Sequence, residues 1–381
     1  MRVRWSALFD ALLPLIATLA ALLIGAIMLL ILGANPISGY AALFEGAFGS
    51  MNALADTAVK ATPLLLVGIG ICIAFRSGVI NIGGEGQMIL GALAATGLGL
   101  AFPDLPGIIM IPLVLVVGFV AGGVWGGIPG YLKARFNVNE ILSTIMMNAI
   151  AVQGMNFLLR DLMIDKLQKG AARIPQTARL STAYDLPRLV PTRLHLGALI
   201  AVILAIGVYF FLWRTTIGYR IRAVGLNSHA SRYAGIKVPR YIILSLALSG
   251  AFAGLAGAVQ VYGVNHFMIT DGTAAGFTGS AGFNGIVAAL FGQLHPIGTI
   301  PASFLFGALL VGANKLQRVT QVPAALITAL NGLVVVFVVS SEIWRRKNAR
   351  RRAIQALEAN KAGEPQPAIP VNPQEEEHHV G

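Results

Sequence analysis

Along the chain, apolar runs mostly of about 17–25 residues alternate with short polar stretches, and a run of that length can cross a bilayer as a helix. The runs cover 11–33, 61–75, a third from the glycine-rich stretch at 83–87 to about 102, and 108–127. A fifth follows Asn139-Glu140, and then come 196–213, 241–262, an eighth after 279–285, 296–313 and 322–341. They predict an all-α polytopic membrane protein of about ten transmembrane helices. Segment 38–55 reads as an amphipathic helix at the outer surface. Turn residues mark Asn35-Pro36 and 102–107, and 314–321 is expected to be an outer turn. Three segments follow: 1–60, a transmembrane helix with the outer amphipathic stretch; 61–341, the main transmembrane domain; and 342–381, a basic anchor and a disordered tail. Alternation puts both termini in the cytoplasm and the long stretch 160–195 outside.

Composition agrees with the pattern. Hydrophobic residues make up 56% of the chain and charged ones 12%, about half the charge of an ordinary globular domain. The net charge of +12 is concentrated beside the apolar runs, which suits orientation and anionic headgroups rather than nucleic acid. The 160–195 stretch breaks a simple positive-inside count, because it carries seven Lys and Arg residues, among them Arg160, Lys166 and Arg188. Long loops weigh less in that rule. The single cysteine, Cys72, excludes an intrachain disulfide.

Polar residues inside apolar runs are the candidate functional groups. Arg76 to Gln87 reads RSGVINIGGEGQ, a glycine-broken approach to the third run of the kind a membrane tolerates only inside protein or beside water. Asn81, Glu85 and Gln87 either line a solute path or tie helices together by hydrogen bonds. Thr144 and Asn148, four apart, share a helix face, and Glu140 lies where a helix N-terminus favours a carboxylate. Gly279 to Gly285 (GSAGFNG), with Asn284, leads into the eighth run much as 81–87 leads into the third. That similarity suggests an inverted repeat. Gly118, Gly122 and Gly126 share one face and predict close helix packing.

Between two apolar runs lies the most cationic short segment, 214–240, with Arg214, Arg220, Arg222, Arg232, Lys237 and Arg240 and no acid. Charge alone makes it a topological anchor on the cytoplasmic side. A helix is predicted from Ser228, capped by Asn227 or Ser228, with Gly235 at its C-terminal stop and Pro239 ending it. The wording says more. Gly225-Leu226-Asn227, Ala230 and Tyr233-Ala234-Gly235-Ile236, followed by SGAFAGLAG at 249–257, resemble the ABC importer permeases of the branched-chain amino acid, ribose and nucleoside group. NIGGEGQM at 81–88, with Lys133-Ala134, Asn139-Glu140 and Met147-Asn148, resembles the nucleoside and simple-sugar branch. The resemblance spans about 61–341. It implies that Gly225, Asn227, Ala230, Tyr233, Ala234, Gly235 and Ile236 belong to a coupling helix docked on a partner ATPase. It also implies a second permease subunit, an extracytoplasmic solute-binding protein, and a place in the inner membrane.

No phosphate-binding G-x-x-x-x-G-K-[ST] loop, H-E-x-x-H or G-x-S-x-G motif occurs, so ATP and Mg²⁺ are expected on the partner and neither cofactor nor metal on this chain. The expected activity is uptake of nucleosides, purine nucleosides such as guanosine foremost. Ribose or another simple sugar is the alternative solute. A proton-coupled carrier using Glu85 or Glu140 is the alternative class.

Overall fold

A computed structural model describes residues 19–20, 22–167 and 174–323, with single helical positions at 329, 332, 333, 336, 337 and 340. The expected 11–33 span in part, the 322–341 span in large part, and the basic anchor and tail lie outside the described residues. Among the described residues there is no strand, only the isolated bridges Gln176–Ile269 and Arg188–His195. The helices are α1 (Leu22–Ile31), α2 (Pro36–Phe48), α3 (Met51–Arg76), α4 (Gly84–Ala101), α5 (Gly107–Phe136), α6 (Glu140–Arg160) and α7 (Leu196–Arg214). They continue as α8 (Thr216–Leu226), α9 (Ser228–Tyr233), α10 (Val238–Gln260), α11 (Ala274–Thr278), α12 (Ala281–Phe291) and α13 (Pro296–Thr320). A π-helical turn, Val261–Asn265, extends α10.

Among the described residues, six helices are long and apolar enough to cross a membrane: α3, α5, α6, α7, α10 with its π turn, and α13. The apolar windows of α3 and α10 are 83% and 72% buried inside the protein, against 22% for α5 and α6 and 28% for α7. The first two therefore form the bundle centre and the last three turn apolar faces outward, where lipid would meet Val116, Val120, Val124, Ile150 and Ile203.

Helix contact at the centre is backbone on backbone. Gly118, Gly122 and Gly126 of α5 face Gly250 and Gly254 of α10, so a Cβ on Gly254 would lie 2.7 Å from the Gly122 Cα. Gly91 of α4 packs on Gly254 as well. Small residues let helices approach where lipid supplies no hydrophobic drive.

Several expected boundaries move. The outer segment 38–55 is two helices, because Gly49 ends α2 and Ser50 caps α3, accepting from the Ala53 amide at 3.1 Å. The second run is thus the latter part of α3, and the division at residue 60 falls inside that helix. Segment 314–321 is no turn. It is the last part of α13, ended by Gln321 at φ 53°, where Lys315 pairs with Glu45 at 2.6 Å. The eighth run, α12, has 11 residues; at ~1.5 Å per residue it is about half the length a crossing needs.

The chain between α6 and α7 is laced to the end of α10: Thr177, Leu180 and Leu186 amides donate to Met268, His266 and Tyr262 carbonyls, each at 2.9 Å. His266 Nδ1 meets Asp185 at 2.7 Å. His195, just before α7, is buried, and burial with the His266 charge pushes its pKa down to about 4.

Candidate functional site

Thr215 caps α8 through its hydroxyl, which accepts from Gly218 at 3.0 Å, and Asn227 caps α9 by accepting the Ala230 amide at 2.9 Å. Two short helices thus form an elbow with Asn227 as the joint. Gly235 leaves α9 at φ +79°, a left-handed conformation in which a Cβ is disfavoured. Pro239 does not end that helix. It lies in the first turn of α10, where its missing N–H costs nothing. The whole of α8 was not anticipated, because its Arg-rich wording reads as loop.

The seven residues singled out here divide by role. Ala230, Tyr233 and Ala234 are exposed, Tyr233 to 94%. Ile236 is half-buried against the main core. Gly225 packs on the end of α3 so closely that a Cβ would overlap the Arg76 carbonyl and come within 2.9 Å of the Gly78 amide nitrogen. Leu226, 88% exposed, was missed, although a Leu beside a polar cap is an apolar residue left without a core. Beside the elbow, a cavity of about 480 Å³ is lined by Tyr219, Arg220, Lys237, Arg240 and Tyr241 among others, with three cations and no acid.

An aromatic hub joins the elbow to the bundle. Arg222 of α8 and Arg76 of α3 lie over the Trp213 ring at 5.4 and 5.2 Å, and His295, before α13, lies 5.0 Å from it. Arg76 also donates to the Leu294 carbonyl at 3.2 Å. The loop, the central helix and the connection after α12 therefore share one side chain.

Deeper in, Asn81 and Gln87 are engaged through both atoms of each amide. Asn81 donates to Gln87 Oε1 at 3.0 Å and to Ser249 Oγ at 2.8 Å, and its Oδ1 accepts from the Gly83 amide and from Gln87 Nε2. Asn148 accepts from the Gly86 amide at 2.8 Å and donates to the Ile82 carbonyl at 2.9 Å. Thr144 points to the same turn, accepting from Ile82 at 3.4 Å. Glu140 pairs with Lys133 at 3.0 Å, while Asn139 is the α6 cap. These groups staple α4, α6 and α10 together.

Glu85 does something different. It stands in the first turn of α4, buried, and accepts the Phe283 amide of α12 at 3.1 Å. A Cβ on Gly282 would lie 2.8 Å from the Gly84 carbonyl carbon, so the two helices meet N-terminus to N-terminus around one carboxylate, where aligned peptide dipoles favour negative charge. From this junction α12 runs toward Arg76 and the elbow. α4 runs the other way, toward Tyr262 and Tyr184, which donate to the Ala95 and Phe102 carbonyls. Asn284, half-buried beside the junction, has no side-chain partner among the described residues.

The family model described as "Branched-chain amino acid transport system / permease component" matches residues 53–339. The chain belongs to this permease family. It is a multi-pass membrane transport component rather than an enzyme. It is 40% identical to the guanosine ABC transporter permease protein NupP of Bacillus subtilis, over 87% of this chain and 93% of the relative. Against the nucleoside ABC transporter permease protein NupB of Lactococcus lactis the identity is 34%, over 92% and 96% of the two chains. The glucose ABC transporter permease protein TsgB13 of Haloferax volcanii is 33% identical, over 87% and 88%. No solved structure matches the permease.

Proposed function

We propose that this permease is the membrane-spanning subunit of an ATP-driven importer in the inner (plasma) membrane, and that it takes up nucleosides, purine nucleosides such as guanosine first. The observation that carries the reading is the 40% identity to a guanosine permease across nearly the whole of both chains. Import of a simple sugar is the second reading, favoured by the 33% identity to a glucose permease.

In this reading about ten helices cross the membrane, and both termini and the α8–α9 elbow are cytoplasmic. Ala230, Tyr233 and Ala234 present the surface that meets an ATPase subunit holding ATP and Mg²⁺. Gly225, Asn227, Gly235 and Ile236 set its shape, and the cations beside it suit an acidic rim. A second permease subunit, the same or related, completes the path, and a solute-binding protein delivers to the opposite face, where the chain at 174–195 packs on the end of α10 and leaves Ile174 and Leu189 exposed. The opposed run of α4 and α12 supports an inverted repeat. Of the candidate path residues, Asn81, Gln87 and Asn148 hold the walls, while Glu85 and Asn284 border the junction. One oxygen of Glu85 pins α12 by accepting the Phe283 amide, and Glu85→Gln, which keeps that acceptor, separates this positioning role from proton coupling.

Uptake of labelled guanosine by the permease with its ATPase and binding protein tests the reading. Uptake that requires ATP and is competed by other nucleosides better than by glucose or ribose is expected. Uptake abolished by an uncoupler and independent of ATP overturns it, and preferential competition by sugars moves the assignment to the second reading.

A further inference from the structure

Away from the engaged cluster at 81–87, a second group of polar side chains has no partner. Lys60 of α3, Gln260 and Asn265 at the end of α10, and Asn314 of α13 line one cavity of about 330 Å³, together with Phe277, Thr278 and apolar residues that include Leu64 and Leu310. Among the described residues, the four side chains make no hydrogen bond and no ion pair. That volume lies in the range of small-molecule sites, ~300–1,000 Å³. Polar groups in a membrane bundle ordinarily pair with each other, as Asn81, Gln87 and Ser249 do here. Lys60 and Asn314 are exposed and Gln260 and Asn265 half-buried at the mouth of this cavity, so the four stand open to a solute arriving from solvent, with no protein partner to be displaced first.

The position of the cavity defines its role. Lys60 stands 16 residues before Arg76, or ~24 Å along the helix, on the side away from the elbow. Asn265 follows the far end of α10, and Asn314 lies 18 residues beyond Pro296, again ~27 Å from the elbow end. Thr278 borders both the cavity and Glu85, so the floor of the cavity is the junction where α4 meets α12. We propose that this cavity is the solute-receiving site of the permease, closed below by the Glu85–Phe283 junction, and that Lys60, Gln260, Asn265 and Asn314 contact the passing solute. The lining provides one ammonium, three carboxamides and a hydroxyl beside an aromatic ring, and no acid. It therefore suits a neutral solute with a planar ring, hydroxyl groups and carbonyl or ring-nitrogen acceptors, and it repels a cation. The solute class rests on the nucleoside reading; the location of the site does not.

The test uses the assembled importer in proteoliposomes with labelled guanosine. Asn265→Ala and Asn314→Ala are each expected to raise KM about 3- to 10-fold, the size of one or two lost neutral hydrogen bonds, and Lys60→Met at least about 10-fold, because its ammonium makes a charge-assisted bond, with ATPase docking intact. In parallel, Asn265→Cys and Asn314→Cys are treated with a membrane-impermeant thiol reagent. The native Cys72 is fully buried and gives low background. Labelling from the far side, slowed by saturating guanosine, supports the site. Unchanged KM in all three variants, or labelling that guanosine does not slow, overturns it. Cross-linking of Asn314→Cys to the second permease also overturns it, because the surface would then be a subunit interface. If the wild type transports glucose and not guanosine, the nucleoside reading fails, and the same protection measurement with glucose decides the location.

Discussion

Gly225→Ala isolates the link between the elbow and the bundle. The added methyl would overlap the Arg76 carbonyl oxygen and lie 2.9 Å from the Gly78 nitrogen, where ordinary contacts are 3.4–4 Å. Both neighbours are backbone atoms and neither can rotate aside, so α8 and the end of α3 part by roughly 1 Å, at the ~1–3 kcal/mol typical of overpacking. The displaced surface carries Leu226, and with it the register of Asn227 and Tyr233. The variant is therefore expected to insert, to melt a few degrees lower, and to lose most ATP-driven uptake while binding-protein affinity is unchanged. Gly207→Ala is the control, since a methyl there meets nothing within 4 Å and Ala favours the helix by up to ~1 kcal/mol. Thermal unfolding in detergent and uptake per inserted permease are measured for both. Gly225→Ala with wild-type melting and uptake would refute the close α8–α3 contact and the coupling argument resting on it.

Tyr233→Glu, at a side chain 94% exposed, should leave melting unchanged while abolishing co-purification of the ATPase; retained co-purification counts against the docking surface. Asn81→Ala leaves Gln87, Ser249 and the Gly83 amide short of partners, so melting should fall by the equivalent of ~1–3 kcal/mol. Glu85→Gln keeps an acceptor for the Phe283 amide and should retain ATP-driven uptake, whereas Glu85→Leu removes it and should loosen the junction, read as faster thiol labelling nearby. The pKa of His195, held at about 4 against an ordinary 6.5, makes it neutral in the folded state. Its contribution is present above pH 6.5 and is lost as pH falls from 6.5 toward 4. Acid should therefore loosen the chain at 174–195, and His195→Phe should flatten that dependence; hydrogen exchange in that segment reads the effect.

The apolar runs determined the membrane class and most helices, because a bilayer demands length and hydrophobicity and both are local properties. The α5 glycines were legible as packing residues for the same reason, since a repeat of four fixes a helix face, whereas that Gly250 and Gly254 of α10 meet them is a fact of the packing alone. Asn227 as a cap and Gly235 as a stop were readable too, because capping is a contact between near neighbours. The sequence could not separate wall from path. Asn81, Gln87 and Asn148 carry the same groups as Gln260, Asn265 and Asn314, and only the packing of α4, α6 and α10 shows that the first set is engaged and the second free. Nor could it show α12 as a short helix, because an apolar run says nothing about where glycine and a partner's carboxylate begin it. Lys60 and Asn314, 254 positions apart, share a cavity only because α3 and α13 lie side by side.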